Sequence, residues 1–439
     1  MSRSPTINAR HPSSRQHPSF PEAFGFWLKL GLIGFGGPAG QIAIMQTELV
    51  DRRRWIDHGP FMAGLDFAML LPGPEAQQLA TYVGWRLHGL RGALAAGVLF
   101  VAPGAALLAA LAWLAAAHGD SAPVAALFDG FRPVVVAVIA AALWRLARRS
   151  FRGPAAVAMA VAAFLALAVF AVPFPIVVGA ALAVGAVSAH LAPGLFDHGV
   201  PSADSEVAPA PGPGRALGLA LLFAMLWAAP VALVVTALGP DPWGGIAALF
   251  TKAAFITFGG AYAVLPYVAA EAVNHYGWLA PGDMIDGLAL AETTPGPLIL
   301  VTQWIGFFAG WNRAGALPPA AAGLLAAALT TYVTFLPCFL FILAGAPYVE
   351  RIARNRTAAA ALGAVTAAVV GVIASLGLYI ADATLWPLAA DGTRGIDAFA
   401  VVLAGAALAV LLLTRLGIPW MVLAGGLAGL AARTLGITG

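Results

Sequence analysis

The chain alternates long apolar runs with short polar or basic loops. After a polar stretch at 1 to 20, apolar segments follow at roughly 24 to 46, 61 to 87, 91 to 117, 124 to 147, 154 to 171 and 173 to 192. A Pro-rich, mildly acidic stretch at 193 to 214 interrupts them, and an isolated apolar segment runs from 215 to 238. Six more follow at about 244 to 270, 282 to 310, 316 to 347, 357 to 380, 396 to 414 and 417 to 436. Runs of about 20 apolar residues are long enough to cross a bilayer. Backbone groups in lipid must be paired within the protein, which leaves helices or closed barrels, and the period-two alternation of barrel strands is missing from these runs. The pattern predicts an all-α integral membrane protein with segments in the order six, one, six.

One stretch is written twice. Lys29, Phe35-Gly36-Gly37, Glu48, Trp55 and Pro72-Gly73-Pro74 recur 223 residues later as Lys252, Phe258-Gly259-Gly260, Glu271, Trp278 and Pro295-Gly296-Pro297. Between 29 and 74 the two copies align without a gap, and 15 of 46 positions are identical. A fixed period of this length marks a duplicated structural unit. The expected organisation is a disordered cytoplasmic tail at 1–20, an N-terminal repeat at 21–192, a linker at 193–214, an intervening transmembrane helix at 215–238 and a C-terminal repeat at 239–439.

The lone segment between the copies inverts the second relative to the first, and the loop charges agree. Arg52, Arg53 and Arg54 follow the first segment of one repeat, where the other has His275, Tyr276 and Gly277. Arg351, Arg354 and Arg356 follow the third segment of the second repeat, where the first has Ala117, His118, Gly119 and Asp120. If the first two segments each crossed once, the Arg52–Arg54 loop would lie outside. Hairpins broken at Phe35-Gly36-Gly37-Pro38 and at Pro72-Gly73-Pro74 return it to the cytoplasm. The favoured arrangement is therefore two inverted-topology repeats with four re-entrant hairpins and about nine full spans, rather than thirteen plain spans.

Composition narrows the class further. A hydrophobic share of 61%, with 10% charged residues, and a mean hydropathy of +0.87 are far from a soluble globule. The pI near 9.2 comes from Arg in loops and tails, which orients a membrane protein, so nucleic acid is not an expected partner. Residues 1 to 20 lack the apolar core of a signal peptide, and Arg3, Arg10 and Arg15 place this tail in the cytoplasm. Cys338 is the single cysteine, so neither an intramolecular disulfide nor a thiolate metal site is expected.

The repeated residues suggest chemistry for anions. Gly36, Gly37, Gly259 and Gly260 leave backbone N–H groups uncovered, and each Pro-Gly-Pro interrupts helical pairing. Helix N-termini freed this way carry partial positive charge, and four meeting at mid-membrane would form an anion site. Lys29 and Lys252 stand seven residues before Gly36 and Gly259, on one helical face with them. They are read as substrate counter-charges, the alternative being that they snorkel to the interface. Glu48 and Glu271 are either ion-pair partners of nearby basic residues or proton carriers. Glu75 and Glu292, beside the Pro-Gly-Pro runs, repel an anion unless protonated and are the candidates for proton coupling. Gln77, Gln78, Thr81, Thr293, Thr294 and Gln303 either donate to oxyanion oxygens or hydrogen-bond helix to helix. Trp55 and Trp278 are expected at the membrane interface. No P-loop, zinc motif or nucleophile elbow occurs, and no cofactor or metal is expected.

At these residues the chain resembles the chromate ion transporter family in its long, two-half form. FGGPAGQIAIMQTELVDRRRWI (Phe35 to Ile56), MLLPGPEAQQLATYVGW (Met69 to Trp85) and LFVAPGA (Leu99 to Ala105) resemble that family's first-half signature. FITFGGAYAVLPYV (Phe255 to Val268) and ETTPGPL (Glu292 to Leu298) resemble its second-half signature. At Asp66, Phe67 and Ala68, where the pattern calls for a polar residue, an aromatic and a small residue, the acid at 66 is the local departure, because it adds a charge. The resemblance implies a bacterial inner-membrane protein that exports chromate and confers resistance to it. Separately, moving a dianion out of a cell negative inside is downhill, so membrane potential or proton exchange suffices to drive it. The resemblance carries the site onto the Phe-Gly-Gly and Pro-Gly-Pro runs with Glu75, Gln77 and Gln78. Sulfate, a tetrahedral dianion of similar size, is the alternative substrate. An anion channel and a membrane-embedded enzyme are weaker readings, the latter because no nucleophile or cofactor ligands are apparent. The sequence is compatible with a homodimer.

Overall fold

The computed structural model describes residues 17–35, 37–119, 121–196, 213–258, 260–348, 355–387, 393–414 and 416–436. The tail at 1–16, the greater part of the linker at 197–212, Gly36, Gly259, Arg351 and Arg354 lie outside these residues. Sixteen helices make up the described chain. The first set is α1 (Phe20–Ile33), α2 (Gly37–Met45), α3 (His58–Leu70), α4 (Glu75–His118), α5 (Ala122–Ser150), α6 (Pro154–Ala168) and α7 (Phe174–Leu191). Between the sets stands α8 (Pro213–Leu238). The second set is α9 (Trp243–Ile256), α10 (Ala261–Ala270), α11 (Pro281–Thr293), α12 (Val301–Asn312), α13 (Pro319–Gly345), α14 (Arg356–Leu385), α15 (Ala398–Leu413) and α16 (Ile418–Thr434). Helices α1 and α9 begin at the 223-residue offset, as do α3 and α11. Each repeat also carries the rare π-turn, at Gln46–Arg52 after α2 and at Glu271–His275 after α10.

Short helices and chain reversals make the hairpins. Ser19 caps α1, accepting from the Glu22 amide at 3.4 Å, with Pro21 in the first turn. At 14 residues α1 is about 21 Å long, too short for a hydrocarbon core of about 30 Å. The chain then turns back. Arg53, just past the first π-turn, lies 3.7 Å from Glu22 and over the Phe26 ring, so the Arg52–Arg54 loop sits on the side where α1 enters.

The second hairpin closes in the same way. The Tyr82 ring of α4 packs against Gly64 of α3, with Pro72–Pro74 at the tip between them. His88 (φ −139°, ψ 24°) and Gly89 (φ 59°, ψ −146°) then break α4 into two arms. The arms fold against each other: a Cβ on Gly84 would fall 2.3 Å from the Gly92 carbonyl. A straight helix would hold these residues about 12 Å apart. The turn at His88 returns to the entry side, where its Nε2 lies 3.0 Å from the Pro18 carbonyl.

The second repeat reverses likewise. Phe250 of α9 faces Trp278 beyond α10, with ring centroids 6.3 Å apart. Trp304 of α12 donates from Nε1 to the Asp283 carbonyl of α11 at 2.9 Å, and Asn312 donates to the Trp278 carbonyl at 2.8 Å. Arg313 binds the Tyr276 carbonyl and pairs with Asp241, so both hairpin mouths of this repeat share one side. Thirteen plain spans are thereby replaced by four hairpins. Among the described residues, six helices, α4, α5, α7, α8, α13 and α14, are long and apolar enough to cross a membrane. Three shorter ones, α6, α15 and α16, have 15, 16 and 17 residues.

The repeats interlock. Helix α5 packs on α15 and α16 of the second repeat, α14 packs on α6 and α7 of the first, and α5 meets α14 between them. Helices of each set thus pack on helices of the other. Small residues allow the close approach: Gly130 abuts Gly425, Ala126 abuts Gly429, Gly185 abuts Ala360 and Gly371 abuts Ala160.

Trp55 and Trp278 are not lipid-facing anchors. They are 6% and 0% exposed and fill the hairpin mouths, Trp55 against Phe26 and Trp278 stacked on Tyr276. The reversal of the chain encloses them.

Candidate functional site at the hairpin tips

The four hairpins meet at their tips. The Gly73 amide donates to the Thr257 carbonyl at 2.7 Å, and the Gly296 amide donates to the Gly34 carbonyl at 3.1 Å. Each Pro-Gly-Pro thus binds the residue just before the Phe-Gly-Gly run of the other repeat. Gly73 (φ +121°) and Gly296 (φ +104°) occupy backbone conformations that L side chains rarely adopt, which is why glycine stands there. Gln41 of α2 ties the second contact, its amide donating to the carbonyls of Gly34 at 2.8 Å and Gly296 at 2.7 Å.

Every returning arm starts at a tip, so helix N-termini gather there: Gly37 of α2, Ala261 of α10, Glu75 of α4, and the Leu298–Leu300 turn leading into α12. Helix α2 packs on α4, and α10 on the Leu298–Leu300 turn. Uncovered N–H groups and converging dipoles favour negative charge.

The tips bring together Phe35, Gly37, Pro38, Pro72, Gly73, Pro74, Phe258, Gly260, Pro295, Gly296 and Pro297. Phe35 is 38% exposed and lines an apolar cavity of about 650 Å³ with Thr293, Phe131 and Trp420. The glutamine amides are engaged within the protein. Gln77 donates to Thr81 at 3.1 Å, Gln78 to the Pro72 carbonyl at 2.7 Å, and Gln303 to the Ala105 carbonyl of the first repeat at 2.7 Å while accepting from Thr331. Gln303 thus joins the repeats and Gln78 ties its own tip, while Gln77 bonds within α4. Thr294 donates to the Ala291 carbonyl.

Two carboxylates flank the start of α10. A Cβ on Gly260 would lie 3.7 Å from Glu75 Oε1. Buried Glu292 accepts a hydrogen bond from Tyr262, two residues into the same helix. Sequence spacing pointed to both acids, but not to Tyr262, which stands where the first repeat has Ala39.

Lys29 and Lys252 do not reach the tips. Helices α1 and α9 stop at Ile33 and Ile256, so the seven-residue helical register to Gly36 and Gly259 is broken before those glycines. Both lysines are exposed, Lys29 in a cavity within its own hairpin and Lys252 in one that its hairpin shares with Val172 and Phe174 of the first repeat and Leu376 of α14. Lys29 shares about 460 Å³ with Thr47, Glu48 and Arg52. Lys252 shares about 410 Å³ with Tyr267, Glu271 and Asn274, its ammonium 5.0 Å from the Tyr267 ring centroid. Glu48 pairs with Arg52 at 2.7 Å and Arg53 at 3.3 Å. The Arg52 hydrogen bond, seconded by Arg53, holds its carboxyl below the usual glutamate range.

The sequence reading passed over Gln41, Arg132 and Asp286. Arg132 and Asp286 form a two-point ion pair between α5 and α11, at 2.8 and 2.9 Å. Each is a charge inside an apolar segment, and that alone is the signal that could have found them.

The fold and its tips define a multi-pass, all-α membrane protein built on paired helical hairpins. The family profile of chromate transporters matches residues 21–186 and 245–430, and the chain belongs to that family. It is 34% identical over 414 residues to a chromate transport protein of Pseudomonas aeruginosa, covering 94% of this chain and 92% of that one. A chromate transport protein of Cupriavidus metallidurans is 28% identical over 414 residues, with 93% and 92% covered. A probable chromate transport protein of Synechococcus elongatus is 28% identical over 366 residues, with 82% and 84% covered. No solved structure matches the chain.

Proposed function

We propose that this chromate transporter exports the anion from the bacterial cytoplasm by alternating access between two inverted repeats, 21–192 and 239–439, and thereby confers chromate resistance. The observation that carries the reading is the pair of cross-repeat hydrogen bonds, Gly73 to Thr257 and Gly296 to Gly34, which gathers four helix N-termini in one place. Chromate, a dianion, is held there by the backbone of the Phe-Gly-Gly and Pro-Gly-Pro runs. Lys29 and Lys252 draw it into the two mouths, and Glu75 and Glu292 exchange protons as it passes.

The charge distribution supports an orientation. Following the hairpins and crossings, Arg52, Arg53, Arg54, Arg86, Arg91, Arg148, Arg149 and Arg152 fall on the side where α1 enters. Arg313, Arg394 and Arg433 fall on the other. The basic side is cytoplasmic by the positive-inside rule, so the second repeat enters from outside after α8 crosses.

Energetics favour export. Moving a dianion out of a cell that is negative inside is downhill by about 4 to 5 kcal/mol at roughly 100 mV. No ATP is needed. The test is radiolabelled chromate flux into everted vesicles under an imposed potential, with and without excess sulfate. Potential-driven uptake that sulfate fails to suppress is expected. Vesicles that take up no chromate would sink the export reading, and full suppression by sulfate would reassign the substrate.

A further inference from the structure

The tips are joined through backbone groups, but an ionic contact also links the repeats. Arg132 Nε and Nη2 donate to the two oxygens of Asp286 at 2.8 and 2.9 Å. Asp129 adds a contact at 3.4 Å. The Asp286 side chain is 6% exposed and that of Arg132 33%. By contrast, Arg53–Glu48, Arg313–Asp241 and Arg394–Asp382 each stay within one repeat.

The first repeat is built differently at the equivalent place. At the 223-residue offset, Asp286 corresponds to Ala63 of α3. The part of α14 from Gly363 to Val369 carries no charge. The α11–α12 hairpin is therefore fastened to α5 by charge, while α3 packs on α14 with Ala63 at the position of Asp286.

Static stability is a poor explanation for such a pair, because well-packed apolar residues serve a core as well or better. Exchangeability is the property an ion pair adds. A guanidinium fork takes two oxygens of a carboxylate or of another oxyanion in the same planar geometry.

We propose that Arg132 and Asp286 form a latch that closes the mouth between α5 and α11, and that the departing oxyanion opens it by taking the place of Asp286 on Arg132. The identity of the anion rests on the transport reading above; the latch does not.

The test uses the full chain. With Cys338, the sole cysteine, replaced by Ala, Thr294→Cys places a thiol at the Pro-Gly-Pro tip of this hairpin, where the residue is 4% exposed. Labelling by a charged, impermeant maleimide applied from the outer face is then followed in right-side-out vesicles. Slow labelling is expected in the parent. Labelling faster by about tenfold or more is expected in Asp286→Asn and in the double variant Arg132→Gln/Asp286→Asn, which leaves only the 37%-exposed Asp129 carboxylate without its arginine. Saturating chromate should accelerate labelling in the parent and leave the double variant unchanged.

If both variants are folded and label at the parent rate, the latch is refuted. Fast labelling of the variants without a chromate effect in the parent refutes the exchange step. A chain that behaves as predicted in the variants yet moves no chromate would overturn the transport reading and leave the latch standing.

Discussion

The Gly73 amide reaches the Thr257 carbonyl of the other repeat at 2.7 Å, and the same bond recurs between Gly296 and Gly34 at 3.1 Å. Two hairpins of opposite repeats are thus hooked tip to tip, twice. A site made this way belongs to neither repeat alone.

Gly73→Ala is expected to disable the protein. The substitution forces an L residue into φ +121° and sets a methyl 2.7 Å from Gln78 Nε2 and 2.9 Å from Cys338 Sγ. The backbone strain alone costs about 1–3 kcal/mol. Gly59→Ala, with open space around its Cβ, is the control. Melting of the purified proteins in detergent and chromate flux should both fall for the first and stay unchanged for the second.

Gln41→Leu removes the donor shared by the Gly34 and Gly296 carbonyls. Leaving buried carbonyls short of a donor costs about 1–3 kcal/mol. A lowered melting temperature is expected, without rescue by Gln41→Asn, whose shorter side chain cannot span both acceptors. Wild-type melting of the Leu variant would remove Gln41 from the tip contact.

The two halves of the latch should differ in stability. Arg132→Met strands a carboxylate that is 6% exposed, at about 3–5 kcal/mol. Asp286→Asn leaves a guanidinium that keeps 33% exposure and its contact with Asp129, and the loss should be smaller. Equal destabilisation in denaturation of the two variants would contradict this ranking.

The lysines should act on different faces. Lys29→Gln is expected to raise the KM for chromate presented at the cytoplasmic face several-fold. Lys252→Gln should leave that KM unchanged and raise the KM for chromate presented at the outer face. Normal flux from both sides in both variants would reduce the lysines to interface residues.

Glu48 supplies the pH prediction. Its carboxyl is held below the ordinary value of 4.5 by hydrogen bonding to Arg52 and then Arg53. A depressed carboxylate pKa contributes stability above the unfolded value and loses it as pH falls through the folded one. Below about pH 4.5 the melting temperature of wild type should drop faster than that of Glu48→Gln. Parallel acid limbs would show that the pair adds nothing at the hairpin mouth.

Much of the fold was legible because lipid imposes few choices. Apolar length identified the helices, the 223-residue period identified the repeat, and the Gly and Pro runs at 36 and 73 marked the breaks. The Arg52–Arg54 loop favoured hairpins over plain spans, and in the structure Arg53 lies 3.7 Å from Glu22 at the start of α1. The site was legible only as motifs. Lys29 looked like its companion because one unbroken helix was assumed, and the helix ends at Ile33.

What the sequence determined by itself is everything set by local chemistry: which segments are helical, where they break, and that the unit occurs twice. The tertiary structure decided which breaks meet. Gly73 finds Thr257 and Arg132 finds Asp286 across 184 and 154 positions of chain, respectively. Pairings of that range are fixed by how whole helices pack, and neither spacing nor composition encodes them. The same packing turned Trp55 inward and left Lys29 at a mouth instead of a tip.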